Sequence, residues 1–510
     1  MKNTATFITC FMIFAALLPF PVFSSGQMEN EQSDKTIVRI ADNMPGLITP
    51  GVWNGQVFSL NSSVYDYLVS LDPETGELNP SLATSWRTDG GDRWEISLRK
   101  GVRFHDGTSF TADDVIFTLE RTQDPSVGHS KKEDFSTVTK IEKIDDYTVA
   151  IYLDTVLPTF MYQMTDFNMA MLSSGYDYDK LGETAPMGTG PFKVESLISK
   201  ESALLVKNED YWEQGKPYID ELHIYFNSDV EVSLAMLLND KVDIVPFITP
   251  VMVDRLKEEE ELKVVIPYMD QRFISMAADR APFEDNRVRL ALKYAMDPQI
   301  LARATTLTLH EGIEYSETPI MSALPQYSEI PYRKRDVEKA KQLLSEAGYP
   351  DGLTIELTYA SDHVYNQNIA QTIKELAKDA GIEIILKGYP RDIYFAQYWL
   401  NVPLSLTTWG VRVDPSMLLR LAFVSDAPWN ESKLAEPYLD ELIDSISREV
   451  HNDKRQQLYD ELQNYFYENG PLLNIQVPYL VAMKENIEGY EQPVTMLPVY
   501  KNVTVDQVSP

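Results

Sequence analysis

The stretch 336–386 constrains the fold more tightly than any other. Asp336 is placed as a helix N-cap, Ala340, Leu343, Leu344 and Ala347 follow at the i, i+3, i+4, i+7 spacing, and Gly348 and Pro350 stop the helix. Leu353, Ile355, Leu357 and Tyr359 then alternate with other residues as in a strand. Ile369, Ile373, Leu376 and Ala380 line one face of a second helix that ends at Gly381, before a strand over 382–386. Strand, helix and strand joined in this way form a right-handed parallel unit. The region is therefore an α/β lobe. Elsewhere the pattern is richer in strands: 94–98 and 148–153 read as strands, His105-Asp106-Gly107 as a turn, and Thr111 as the cap of a helix running through Val115 to Arg121.

A chain of 510 residues has room for roughly three domains and a large core. Its formal charge of -32, from 77 acidic and 45 basic residues, repels phosphate backbones and anionic membranes, which argues against nucleic acid as a partner. The run KEEEELK (257–263) reads as the solvated face of a helix. At the N-terminus Lys2 precedes an apolar run over 5–23 that is broken by Pro19 and Pro21 and followed by Ser24 and Gly26. Residues 1–25 are thus expected to be a signal peptide, and the mature protein to be a free periplasmic one. The single cysteine, Cys10, lies inside that run without the context of a lipid-anchoring signal, so the mature chain is expected to use neither disulfides nor thiol chemistry. No other segment approaches the ~18 apolar residues of a membrane span.

The residues give little sign of catalysis. Six histidines lack metal spacing, and His310-Glu311 is missing the second histidine of a zinc helix. Gly188-Thr189-Gly190 is followed by Pro191-Phe192 where a phosphate loop needs helix formers and Gly-Lys-Ser/Thr. No G-x-S-x-G elbow is present. No catalytic residue, metal or cofactor is assigned, although the many carboxylates leave a glycosidase pair open.

Six segments distributed along the chain carry a family likeness. LNPSLATSW (78–86), WEISLRKGVRFHDGTSFTADDVIFTLER (94–121), PMGTGPF (186–192), NEDYWEQGKPYID (208–220), APFEDNRVRLALKYAMD (281–297) and VEKAKQLLSEAGYPDGL (337–353) stand in an order and spacing that resembles extracellular solute-binding proteins family 5. That family includes oligopeptide-, dipeptide- and nickel-binding components of ABC importers. Physically these segments read as scaffold. Trp86 and Trp94 suit a core beside strands, Tyr211-Trp212 bury the base of a turn shaped by Gly215-Lys216-Pro217, and Pro282-Phe283 with Asp285, Arg287 and Arg289 starts a helix.

The resemblance implies an α/β, two-lobed periplasmic-binding-protein clam-shell with an additional small α+β domain, of class II, cluster C type. Lobe I would combine residues 27–70, 188–275 and 479–510, the added domain 71–187, and lobe II 276–478, with crossings near 272–278 and 475–481. The implied role is capture of an oligopeptide- or dipeptide-like solute in the interlobe cleft by a monomer that delivers it to ABC permease subunits in the membrane. The alternatives are the same role for an oligosaccharide, opine-like or other anionic solute, a sensory receptor, or a secreted hydrolase.

In peptide-binding members of that family, a tryptophan and a small residue precede an aspartate that holds the peptide's α-ammonium. The matching order here is Trp409-Gly410-Val411-Arg412, so an arginine stands in the aspartate's place. An ammonium facing an unpaired guanidinium in a low-dielectric cleft is strongly disfavoured. Arg412 has three readings: it binds a ligand carboxylate, phosphate or sugar hydroxyl, it is neutralised by an acidic neighbour, or it lies outside the cleft. Asp414 shares its face if the backbone is extended, and also fits an N-cap before Pro415. The ligand-binding candidates are Trp409, Gly410, Arg412 and Asp414, with Asn43 and Trp53 on the opposite lobe. Trp429-Asn430-Glu431 is either a further cluster or a surface turn.

Overall fold

The computed structural model describes residues 35–43, 51–52, 58–72, 75–178, 186–267, 269–306, 314–331, 333–362, 364–493 and 495–506. The predicted signal peptide, Trp53 and the His310-Glu311 pair lie outside the described residues.

The most legible unit forms as the pattern dictates. Asp336 caps the helix Val337–Glu346 by accepting from the Lys339 amide, and Leu343 and Leu344 are buried. The strand Leu353–Ala360 runs parallel to Ile382–Tyr389, with Leu353 opposite Ile382, and the helix Val364–Lys378 crosses between them. These strands belong to a six-stranded sheet ordered Glu314–Ser316, Leu472–Pro478, Met269–Met276, Leu404–Trp409, Leu353–Ala360, Ile382–Tyr389. Ile274, Leu292, Ile355, Leu357, Ile369 and Ile373 share its main core.

A seven-stranded sheet is ordered Leu262–Val265, Val481–Lys484, Ile244–Pro246, Ile37–Asp42, Glu221–Phe226, Ser202–Lys207, Phe192–Ile198. Ile37–Asp42 lies parallel to Glu221–Phe226 and sends Val38 and Ile40 into a core with Leu60, Leu222 and Ile224. A four-stranded antiparallel sheet contains Ala83–Thr88, Arg93–Leu98, Thr148–Leu153 and Val138–Asp145. Its alternation sends Trp94, Ile96 and Leu98 inward onto the helix Ala112–Gln123, whose Thr111 and Asp114 form a reciprocal capping box.

The chain leaves the seven-stranded sheet after Val265 and returns to it at Val481. The strand Met269–Met276 pairs along its length with Leu404–Trp409 and Leu472–Pro478, which puts the first crossing a few residues before the 272–278 expectation. The physical reason is burial on both faces: Phe273 enters one core and Ile274 another. The KEEEELK run corrects a second expectation. The helix Pro250–Leu256 ends before it, so 257–261 form an exposed turn leading into the strand Leu262–Val265.

Gly188 and Gly190 serve a close backbone approach rather than a phosphate cradle. The Gly190 amide donates to Val64 O at 2.9 Å, at the end of the helix Phe58–Val64. A Cβ on Gly188 would lie 2.2 Å from Val64 O, and one on Gly190 2.5 Å from Val64 C. Gly190→Ala is expected to cost about 1–3 kcal/mol through overpacking, read as a lower denaturant midpoint with an unchanged slope.

Candidate functional site

The loop after the strand Leu404–Trp409 is held from below by one carboxylate. Glu431, 6% exposed, accepts from Trp399 Nε1 at 2.6 Å, Trp409 Nε1 at 3.1 Å and Ser275 Oγ at 2.8 Å. Phe273 and Trp429 flank the Trp409 ring, with centroids at 5.8 and 5.9 Å. Trp409 is 4% exposed, so in this conformation its indole supports the loop and does not offer a stacking face. Burial pushes the Glu431 carboxyl above its ordinary pKa, against the pull of its donors. Its contribution to stability is full below the ordinary glutamate value and is lost as pH rises through the raised one. Glu431→Ala is expected to cost roughly 1–3 kcal/mol for the orphaned Trp409 N–H, whereas Glu431→Gln keeps an acceptor and melts close to wild type in a thermal scan.

Beyond Trp409 the chain turns through Gly410 and Val411 to Arg412, which is half-buried. Arg412 Nη1 donates to Gly410 O at 3.2 Å and to Val411 O at 3.4 Å. It forms no salt bridge among the described residues. A Cβ on Gly410 would sit 3.6 Å from Arg412 Nη1, in ordinary van der Waals contact with the guanidinium.

Across from Arg412 lies a cluster carried by the added domain. Lys131 Nζ is 2.7 Å from Asp166 Oδ2 and 3.1 Å from Asp134 Oδ2. Burial works against the Lys131 charge, Asp166 and Asp134 favour it more strongly, and Arg412 is near enough to oppose it; the balance raises its pKa. His129 Nδ1 accepts from the Lys131 amide at 3.1 Å, and burial pushes that imidazole down to about 4, so it is neutral at pH 7. Gly51 closes over the ring: its carbonyl accepts from Ser130 N at 2.9 Å, and a Cβ there would lie 2.0 Å from His129 Nε2.

Asp414 is wholly buried. It caps the helix Pro415–Ala422 through the Ser416 amide, and its Oδ1 also accepts from Ser416 Oγ and from Tyr459 OH at 3.2 Å. Its Oδ2 has no hydrogen-bond partner among the described residues. Burial, and then the nearby Asp414 charge, push the Tyr162 phenol above its ordinary value. On the opposite side Asn43 follows the strand Ile37–Asp42, and its amide donates to Asp42 Oδ1 at 2.7 Å.

Glu431 was marked in the sequence within Trp429-Asn430-Glu431, as a further cluster or a surface turn; Lys131, Asp166 and His129 were not legible as site residues. Their segments carry no motif, and only the tertiary fold brings 129–131, 166 and 412 together. Asp66 was missed for the same reason. It is 8% exposed and accepts from Thr189 Oγ1 at 3.0 Å, Tyr211 OH at 3.0 Å and Trp212 Nε1 at 2.9 Å. Two family segments read as scaffold thus converge on one carboxylate.

Among the described residues no group of three or more His, Cys, Asp or Glu is placed to hold a metal ion, and no helix is long and apolar enough to cross a membrane. The fold is shared with solved periplasmic binding proteins. The PBP AgaA of A. tumefaciens R10, in complex with agropinic acid, superposes with a TM-score of 0.74 at 23% identity, covering 93% of this chain and 99% of that one. Heme-binding protein A of Haemophilus influenzae is 26% identical over 99% of both chains. The dipeptide-binding protein of Escherichia coli K12 is 25% identical over 92% of this chain and 95% of its own length. The family model for bacterial extracellular solute-binding proteins, family 5 Middle, matches residues 77–431, more than half of the 510 residues. This chain belongs to the family 5 bacterial extracellular solute-binding proteins.

Proposed function

We propose that this chain is the periplasmic receptor of an ABC importer, and that it captures in its interlobe cleft a small solute bearing a carboxylate. The observation that carries the reading is Arg412: a half-buried guanidinium in the cleft loop that meets only carbonyls of its own turn among the described residues. Lys131 opposite is already held by Asp166 and Asp134, so its charge is met within its own cluster and Arg412 is left to meet a solute. A carboxylate on Arg412 that gains further contacts from the facing wall on closure binds the closed form better than the open one, as a solute that drives closure must. The planar fork of Arg412 suits a carboxylate geometrically.

Trp409 acts in this reading as the support of the loop, Gly410 as the turn whose carbonyl orients Arg412, and Asp414 as the anchor of the helix that follows. Asn43 and Trp53 belong to the facing wall. The solute is peptide-like in the first instance, as for the dipeptide-binding relative, with its C-terminal carboxylate on Arg412. A non-peptide acid is the second reading, favoured by arginine standing where an amine-binding aspartate would be. The protein acts by binding and release, without chemistry, and hands its solute to a membrane permease. Calorimetric titration with matched peptides tests this. Peptides with a free C-terminus should bind at least tenfold tighter than their C-terminal amides, and equal affinity for the two would refute the assignment.

A further inference from the structure

A second cavity, of about 750 Å³, opens where Pro493, Thr495 and residues 497–502 face residues 69–72, 79–81 and Trp212. That volume falls within the ~300–1,000 Å³ typical of sites for small organic ligands. Its wall contains no residue from the Trp409–Asp414 loop or from anywhere in the six-stranded sheet, so it is separate from the cleft.

The charged groups in this wall are unequally satisfied. Asp66 has three donors, and Lys501 is paired with Glu213. Arg99 differs. Its Nε donates to Ser81 O at 2.9 Å and its guanidinium lies 4.3 Å from the Trp212 ring centroid, but its two terminal amines have no hydrogen-bond partner among the described residues. The platform beneath it is fixed, because Trp212 Nε1 is tied to the buried Asp66. A guanidinium stacked on an anchored indole keeps its fork in one orientation, so little freedom is lost when an oxyanion docks. Leu71, Leu497, Pro493 and Pro498 supply an apolar wall. Asp72 and Glu491, also in the lining, set a limit on charge: they repel a dianion such as phosphate more than a single carboxylate.

We propose that this cavity is a second ligand site, for a small organic monocarboxylate with an apolar body, and that Arg99 is its anion-binding residue. The site joins the added domain to the seven-stranded lobe and is independent of the solute assigned to the cleft.

The test uses full-length protein stripped of solute, in the Arg412→Ala background, which weakens any contribution from the cleft. Benzoate, octanoate and inorganic phosphate are the probes, read by titration calorimetry and by quenching of tryptophan fluorescence. Benzoate or octanoate should bind saturably, phosphate at least tenfold more weakly, and Arg99→Gln should reduce carboxylate affinity at least tenfold. Thr495→Trp, which narrows the cavity from another part of its wall, should weaken carboxylate binding while the protein melts as before. Absence of carboxylate binding at millimolar concentration, or binding unchanged by both Arg99→Gln and Thr495→Trp, would overturn the proposal. Neither outcome bears on the cleft, whose own failure would show as native-solute affinity insensitive to Arg412.

Discussion

Arg412→Ala weakens binding of the native solute by about 1.5–3 kcal/mol, or roughly ten- to 150-fold, because a charge-assisted pair is lost from a partly desolvated site. The melting temperature of the solute-free protein stays near that of wild type, since the Arg412 guanidinium bonds only carbonyls of its own turn among the described residues. Arg412→Asp removes the cation and adds an anion facing the Lys131 and Asp166 cluster. It abolishes binding of the native acid and shifts preference toward solutes with a free amine. Titration of the stripped protein with native solute, alongside a thermal scan of each variant, separates the two effects. Unchanged affinity together with a lower melting temperature would mean that Arg412 serves the fold instead.

The second large effect concerns stability and is remote from the cleft. Glu317 is buried between two cations: Lys293 Nζ lies 3.1 Å from its Oε2, and Arg333 Nε lies 3.2 Å from each of its oxygens. Lys293 also donates to Phe466 O at 3.1 Å and Arg333 to Tyr467 O at 2.8 Å. One carboxylate therefore joins the helix Asn286–Ala295, the segment following the strand Glu314–Ser316 and the end of the helix Asn452–Asn469. Glu317→Ala leaves two buried cations uncompensated and is expected to cost about 3–5 kcal/mol. Burial already holds the Lys293 pKa below the ordinary lysine range despite Glu317. Without the carboxylate it falls further, so the folded variant carries fewer protons than the unfolded chain up to the ordinary lysine value. Stability of the variant thus recovers as pH rises through that window, and denaturant titrations at several pH values measure the recovery.

How far the sequence could be read depended on whether the information was local. The helix and strand over 336–386, the Thr111 cap and the strand Thr148–Leu153 were legible because periodicity and capping residues act within a few positions. Asp414 was legible as an N-cap for the same reason. The first interlobe crossing was placed a few residues late because Met269–Met276 mixes polar and apolar residues on both faces, and nothing local says which sheet it will join. The acidic run at 257–263 gave its exposure correctly but not its backbone, since charge reports solvation and not conformation.

The candidate site was legible only at its loop. Arg412 stood out against an expected aspartate, yet its surroundings depend on residues far away in the chain: Lys131 and Asp166 opposite, Glu431 beneath. Trp409 shows the cost of reading an aromatic without its partners. A tryptophan in such a loop fits either stacking on a solute or packing in the core, and the buried acceptor at Glu431 makes it a support. Asp66 makes the same point for the scaffold, because Thr189, Tyr211 and Trp212 belong to motifs whose common partner lies outside them.

The most direct test of the central claim is the mass of the protein as purified from its native host, native against denatured, for wild type and Arg412→Ala side by side. The account predicts a released carboxylic acid in the wild type, either one compound or a set of peptides with free C-termini, and its loss from the variant. A neutral or cationic solute, or the same occupancy in both proteins, would contradict it.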